Sequence, residues 1–225
     1  MAQAKVNNIA RALARRGLKT NRISQSTLIF KQPIVAGNSS YTFGVLQNQA
    51  PVLPGEIRLA LQDIFTVSTM AIGFSGTLNF AGPPAISRRI YFFSPPAQLG
   101  AAALNLFPLY EGTCKVMVNE VSYLLNWDLQ RHFFAGSTQI NAVAASPNTL
   151  NELAGSKDAF FPVTPGIVLN GNAKNEFTLQ MPTNQLAPAA GLAYTNAAGE
   201  SYTINIDELV IMTRGYLAQN ASTSN

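Results

Sequence analysis

Ser201-Tyr202-Thr203-Ile204-Asn205-Ile206-Asp207-Glu208-Leu209-Val210-Ile211-Met212-Thr213 is the stretch that decides the fold. Its first six residues alternate polar and apolar, the period-two pattern of a strand with one buried face. Leu209–Thr213 continues as a fully apolar run, the mark of a strand covered on both sides. Working outward, the same reading recurs. Thr27-Leu28-Ile29-Phe30-Lys31 is β-rich and is halted by Pro33, and Ser39–Val45 alternates after the turn residues Ala36-Gly37-Asn38. Strands are also predicted over 57–61 and 65–72, with Gly73 and Gly76 marking a bend or bulge. Another is predicted over 89–93, closed by Pro95-Pro96.

Lys115–Val118 and Val121–Leu125 flank Asn119-Glu120, a two-residue hairpin turn. Gly166–Leu169 and Glu176–Met181 flank the Gly/Asn-rich turn Asn170–Asn175. Short helices are expected only around 127–134 and 149–154. Many short strands punctuated by Gly, Pro and Asn, with no internal repeat, predict one all-β sandwich domain. Longer Ala/Pro/Asn/Gly segments at 81–88, 94–110, 135–165 and 182–199 read as elaborated loops. Connections of more than about 12–15 residues usually carry a function such as binding.

Composition narrows the chemistry. The 225 residues are ample for a sizeable core, yet only 12% are charged, against a usual share of about 25%. Uncharged polar groups replace them: 20 Asn, 12 Gln, 15 Ser and 16 Thr. Such a surface suits a subunit that touches many copies of itself. The single cysteine, Cys114, cannot form an internal disulfide or a multi-thiolate zinc site. The single histidine, His132, argues against the histidine clusters of catalytic metals. No metal and no cofactor is expected. Ile64–Ser87 carries no charge, but its Ser, Thr and Asn residues and Pro83-Pro84 fit a buried strand and turn better than a membrane span.

The net charge of +4 is uneven. Residues 1–22 hold Lys5, Arg11, Arg15, Arg16, Lys19 and Arg22 with no acid, giving +6; the remaining 9 bases and 11 acids give −2. At 100° per residue, Val6, Ile9, Ala10, Leu13 and Gly17 share one side of a helix and the basic residues the other. These six side chains are the candidate binding residues, directed at nucleic-acid phosphates or at an anionic membrane surface. A solvated terminus and an acid-poor organellar presequence share the pattern. No long apolar segment follows, so no secretory signal is expected.

Nucleophilic chemistry has weak support. No phosphate-cradling glycine motif is present, and Gly73-Phe74-Ser75-Gly76 has its second glycine one residue too early for a nucleophile elbow. Asp128 and His132 with Ser137 would be the only candidates for a triad, and packing of the Trp127–Phe134 aromatic cluster is the expected role. Arg88-Arg89 reads as a surface pair. Asp207 and Glu208 are the only adjacent carboxylates, expected to point to opposite faces of a strand.

A basic arm over 1–26 and a weakly charged β body over 27–225 resemble the jelly-roll coat proteins of icosahedral viruses. Phe30–Gly37 and Ile211–Leu217 are similar to bacteriophage structural proteins. The resemblance implies a single jelly roll, a non-enzymatic capsid role in the virion after assembly in the host cytoplasm, and no small-molecule substrate. Its implied partners are many copies of itself, other virion proteins, and nucleic acid or an inner membrane met by residues 1–22. A spike, fibre or host-binding β protein is the alternative, and a β-sandwich hydrolase a more distant one.

Overall fold

The computed structural model describes residues 10, 11, 14, 22–80, 87–92, 101–133, 159–195 and 201–221. Ten strands follow in order: β1 Arg22–Pro33, β2 Ser40–Phe43, β3 Ile64–Phe80, β4 Ser87–Tyr91, β5 Thr113–Val118, β6 Val121–Asp128, β7 Phe161–Asn170, β8 Asn175–Gln180, β9 Ala189–Thr195 and β10 Ser201–Gln219. They form two antiparallel sheets. One runs β1-β10-β3, with β7 and β4 sharing the far edge of β3 and β9 continuing the edge of β10 beyond β1. The other runs β2-β8-β5-β6. The all-β sandwich expected from the strand pattern is present.

The two long strands β3 and β10 lie side by side from Ile64↔Ala218 to Phe80↔Tyr202. The alternating run and the apolar run of the C-terminal stretch are thus one strand. Its inner residues Leu209 and Ile211 face the core, whereas Met212 packs on the outer side against a second cluster of Ala71, Phe92, Ala159 and Phe160. Burial on both sides explains why the alternation disappears there. Gly215 sits at a bulge where β3 and β10 come so close that a Cβ would overlap the Thr66 carbonyl oxygen.

The core lies between the sheets. Phe30 of β1 meets Phe177 of β8 at 5.3 Å between ring centroids, and Phe43, Phe65 and Phe74 are fully enclosed around them. Strands β5 and β8 bury every second residue, as expected of strands with one wet face. Thr213 is the exception to the apolar rule. It lies on β10 between Leu28 and Met70, fully buried, with its hydroxyl unpartnered. Thr213→Val keeps the shape and removes the buried hydroxyl, so a gain of about 1 kcal/mol is expected in urea unfolding. A loss of that size would show that the hydroxyl is bonded.

Several expectations need correction. Residues 57–61 form only isolated bridges, Ile57 to Ile29 and Leu59 to Leu46, because Arg58 between them turns inward to bind loop carbonyls. The helix expected over 127–134 is instead the end of β6 followed by a 3-10 turn, Gln130–His132. A 3-10 segment, Ala101–Glu111, and β9 occupy parts of the segments read as loops, and β7 starts at Phe161 within a third. Strand β1 starts at Arg22, so residues 22–26, read with the arm, lie in the sheet. The expected helix at 149–154 lies outside the described residues. Asn119 and Glu120 do form the hairpin turn, both with positive φ. The Asn170–Asn175 turn connects the two sheets, held by Asn175 Nδ2 donating to the carbonyls of Asn170 and Ala173 at 2.7 and 2.8 Å.

Candidate functional site

The strands give the sandwich two unlike ends. Arg22 opens β1 opposite Gln219, at the end where β3 begins and β7 finishes. The connections 81–112, 129–160 and 181–200 all join strands at the other end. Of the six basic candidates, Arg11 is helical and exposed, in keeping with an amphipathic helix, as Ala10 and Ala14 are also helical. Arg22 is exposed at the start of β1. Lys5, Arg15, Arg16 and Lys19 lie outside the described residues.

The cluster around His132 has a definite geometry. Trp127 Nε1 donates to His132 Nε2 at 3.0 Å, so that nitrogen carries no proton. The ring stands edge-on to Phe161 at 5.0 Å and is hydrogen-bonded to the Ala159 backbone. Asp128 is turned away: its carboxylate accepts from the Gln130 backbone N–H at 2.9 Å and lies 3.9 Å from Arg131. The arrangement that a triad needs, a carboxylate orienting the imidazole, is therefore not made by Asp128. Packing is the role that these contacts describe.

Burial, reinforced by the Arg131 cation, lowers the His132 pKa to about 4, against smaller opposing effects of Asp128 and the Ala159 bond. Because the folded value is depressed, the stabilisation is complete above the unfolded value near 6.5 and is lost as pH falls toward 4. The loss expected over that window is on the order of 3 kcal/mol. Unfolding followed through Trp127, the only tryptophan, should show it, and His132→Gln should flatten the curve between pH 6.5 and 4. An unchanged slope in the variant would contradict the assignment.

Two buried ionic groups were not legible as pairs in the sequence. Glu56 is fully enclosed and accepts from the backbone N–H groups of Lys31 and Leu53 at 2.7 and 2.6 Å, and from Arg58 at 2.8 Å. Arg58 also donates to the carbonyls of Gln49 and Pro51. On the outer side of β1 and β10, Glu208 Oε2 lies 3.3 Å from Lys31 Nζ and 2.6 Å from an Arg88 nitrogen, an attraction of charges rather than an aligned hydrogen bond. Arg88 is also bidentate on Asp207, at 3.0 and 2.9 Å. The expectation that Asp207 and Glu208 point to opposite faces fails, because a bulge between Ile206 and Glu208 lets both reach Arg88. Ser75 is buried mid-strand, 3.5 Å from Lys31 Nζ, and does not sit at an elbow.

A scan against protein-family models, a search of the curated proteins and a search of the solved structures each return no match. The site is therefore argued from geometry alone. A polar groove of about 340 Å³, lined by Gln25, Ser26, Thr27, Ser68, Arg214, Gly215 and Tyr216, opens beside the β3–β10 bulge. Its guanidinium lies 3.7 Å over the Phe160 ring. Among the described residues no group of three His, Cys, Asp or Glu side chains could hold a metal ion. No helix among them is long and apolar enough to cross a membrane.

Proposed function

We propose that this chain is the subunit of an icosahedral virus shell, bacteriophage in type, folded as a single jelly roll with its basic arm on the inner side. The observation that carries the reading is the nesting of the strand pairs. Apart from β4 and β9, the first strand pairs with the last (β1 with β10), the second with the next to last (β2 with β8), then β3 with β7 and β5 with β6. A ribbon of antiparallel pairs wrapped in this order gives two interlocked Greek keys, the jelly-roll topology used by capsid domains. Lectins and cupins share that topology, so it supports the architecture before the role.

Three further features favour a shell. The arm carries +6 and no acid while the rest of the chain carries −2, which places the attraction for phosphates at one end of the sandwich. The long connections gather at the opposite end, where they would meet neighbouring copies. The weakly charged body limits repulsion between identical subunits. The subunit would then reside in the virion and take nucleic acid, or the phosphate groups of an inner membrane, as the partner of Lys5, Arg11, Arg15, Arg16, Lys19 and Arg22.

Deleting residues 1–21 tests the division of labour, because β1 begins at Arg22 and loses nothing. The expected product keeps its β circular dichroism spectrum and melting temperature but packages several-fold less nucleic acid, read from the ratio of absorbance at 260 and 280 nm. If phosphorus in purified particles falls with lipid extraction instead, the arm's partner is membrane. Collapse of the β body on deletion would overturn the two-part reading.

A further inference from the structure

We propose that the two lateral sides of the sandwich are the halves of one head-to-tail contact between copies of this chain. The inference deepens the shell reading and rests on it. Nine large hydrophobic side chains are exposed among the described residues, and six fall in two groups. Val121, Tyr123 and Leu125 lie on β6, at the edge of the second sheet. Val52, Ile57 and Leu61 lie on the segment that follows β2 and bridges to the edge of β1 at Ile29. The orders β1-β10-β3-β7 and β2-β8-β5-β6, with Phe30 over Phe177, put these two groups on opposite sides of the molecule.

Backbone pairing is disfavoured at both sides, which selects the mode of contact. Strand β6 carries an extra residue at two points against β5, and Tyr123 and Leu125 sit in these irregular stretches. Such bulges interrupt the ladder that a second β6 would need for edge-to-edge addition. On the other side, the edge of β1 is already occupied: Ile57 exchanges two backbone hydrogen bonds with Ile29, and Glu56 takes the Lys31 N–H. Contact must then be made by side chains, one apolar group against the other. Unlike surfaces meeting this way generate rings or extended arrays rather than closed pairs.

The size of the groups points to another copy within an assembly. Large side chains bury roughly 150–250 Å² each, so three that are about half exposed offer on the order of 300 Å². Two such faces fall well below the roughly 1,200 Å² of a stable isolated pair. A contact this small holds only when many copies close on one another and share the gain.

The experiment uses the full chain. Leu125→Asp and Ile57→Asp, with Val121→Asp and Val52→Asp as second variants on each side, should keep the parent's circular dichroism spectrum and lower the assembled fraction in sedimentation at least tenfold. Direction is read by single-cysteine variants treated with a flexible bis-maleimide. Burial pushes the native Cys114 thiol up and keeps it unreactive. Val52→Cys and Leu125→Cys should each stay monomeric alone, stop at a dimer when mixed, and give a ladder when combined in one chain. A dimer from Leu125→Cys alone, or full assembly of both aspartate variants, overturns the head-to-tail contact while leaving the shell reading in place. A parent chain that never assembles overturns both.

Discussion

Glu56→Ala is expected to destabilise the subunit by about 3–5 kcal/mol, the usual cost of removing one partner of a buried ion pair. The reason lies in what the carboxylate satisfies. Its two oxygens take two backbone N–H groups and the Arg58 guanidinium, all with little or no access to water. Without it, Arg58 keeps only the carbonyls of Gln49 and Pro51, and its charge is left buried and unopposed. The segment that bridges to β1 at Ile57 would lose its anchor at the same time. For a domain of this size the melting temperature should fall by about 10 °C. The double variant Glu56→Ala/Arg58→Met should be less destabilised than Glu56→Ala alone, since the stranded cation is gone. Equal loss in both would mean that the backbone bonds, not the charge, dominate.

Phe177→Ala is the second large effect, again about 3–5 kcal/mol. Phe177 is fully buried on β8 and its ring meets Phe30 from the opposite sheet. Deleting it removes a contact that holds the two sheets together and leaves a cavity that flanking strands, fixed by their ladders, cannot close. Thr178, the next residue, points to the wet face, where its hydroxyl meets that of Thr42 at 3.3 Å. Thr178→Ala should therefore change stability by less than about 0.5 kcal/mol. Comparable losses at the two positions, measured by urea unfolding of unassembled subunits, would contradict the register of β8.

How much of this was legible in the sequence depends on how local the determinant is. The hairpin at Asn119-Glu120 and the alternating strands β5 and β8 announce themselves, because turn chemistry and half-burial are set by neighbours in the chain. Strand β10 reads as two pieces, since the outer cluster around Phe92 and Phe160 that covers its second half comes from distant residues. The stretch 57–61 has strand composition, but Arg58 is drawn inward by Glu56, Gln49 and Pro51, a tertiary demand invisible in the local pattern.

The candidate site divides in the same way. The basic bias of residues 1–22 is legible as charge. The pairing of Lys31 and Arg88 with Asp207 and Glu208 is not, because it depends on a bulge between strands more than a hundred residues apart. His132 is legible as part of an aromatic cluster, yet its neutrality follows from Trp127 and from burial under the β7 approach.

The central claim is that this sandwich is a shell subunit, and sedimentation velocity of the purified full-length chain at low and then high salt tests it most directly. The account predicts a fast boundary of megadalton scale at low salt, with salt weakening the part that depends on the basic arm. A boundary at the mass of a monomer or trimer in both conditions would contradict it and favour a spike or another small oligomer.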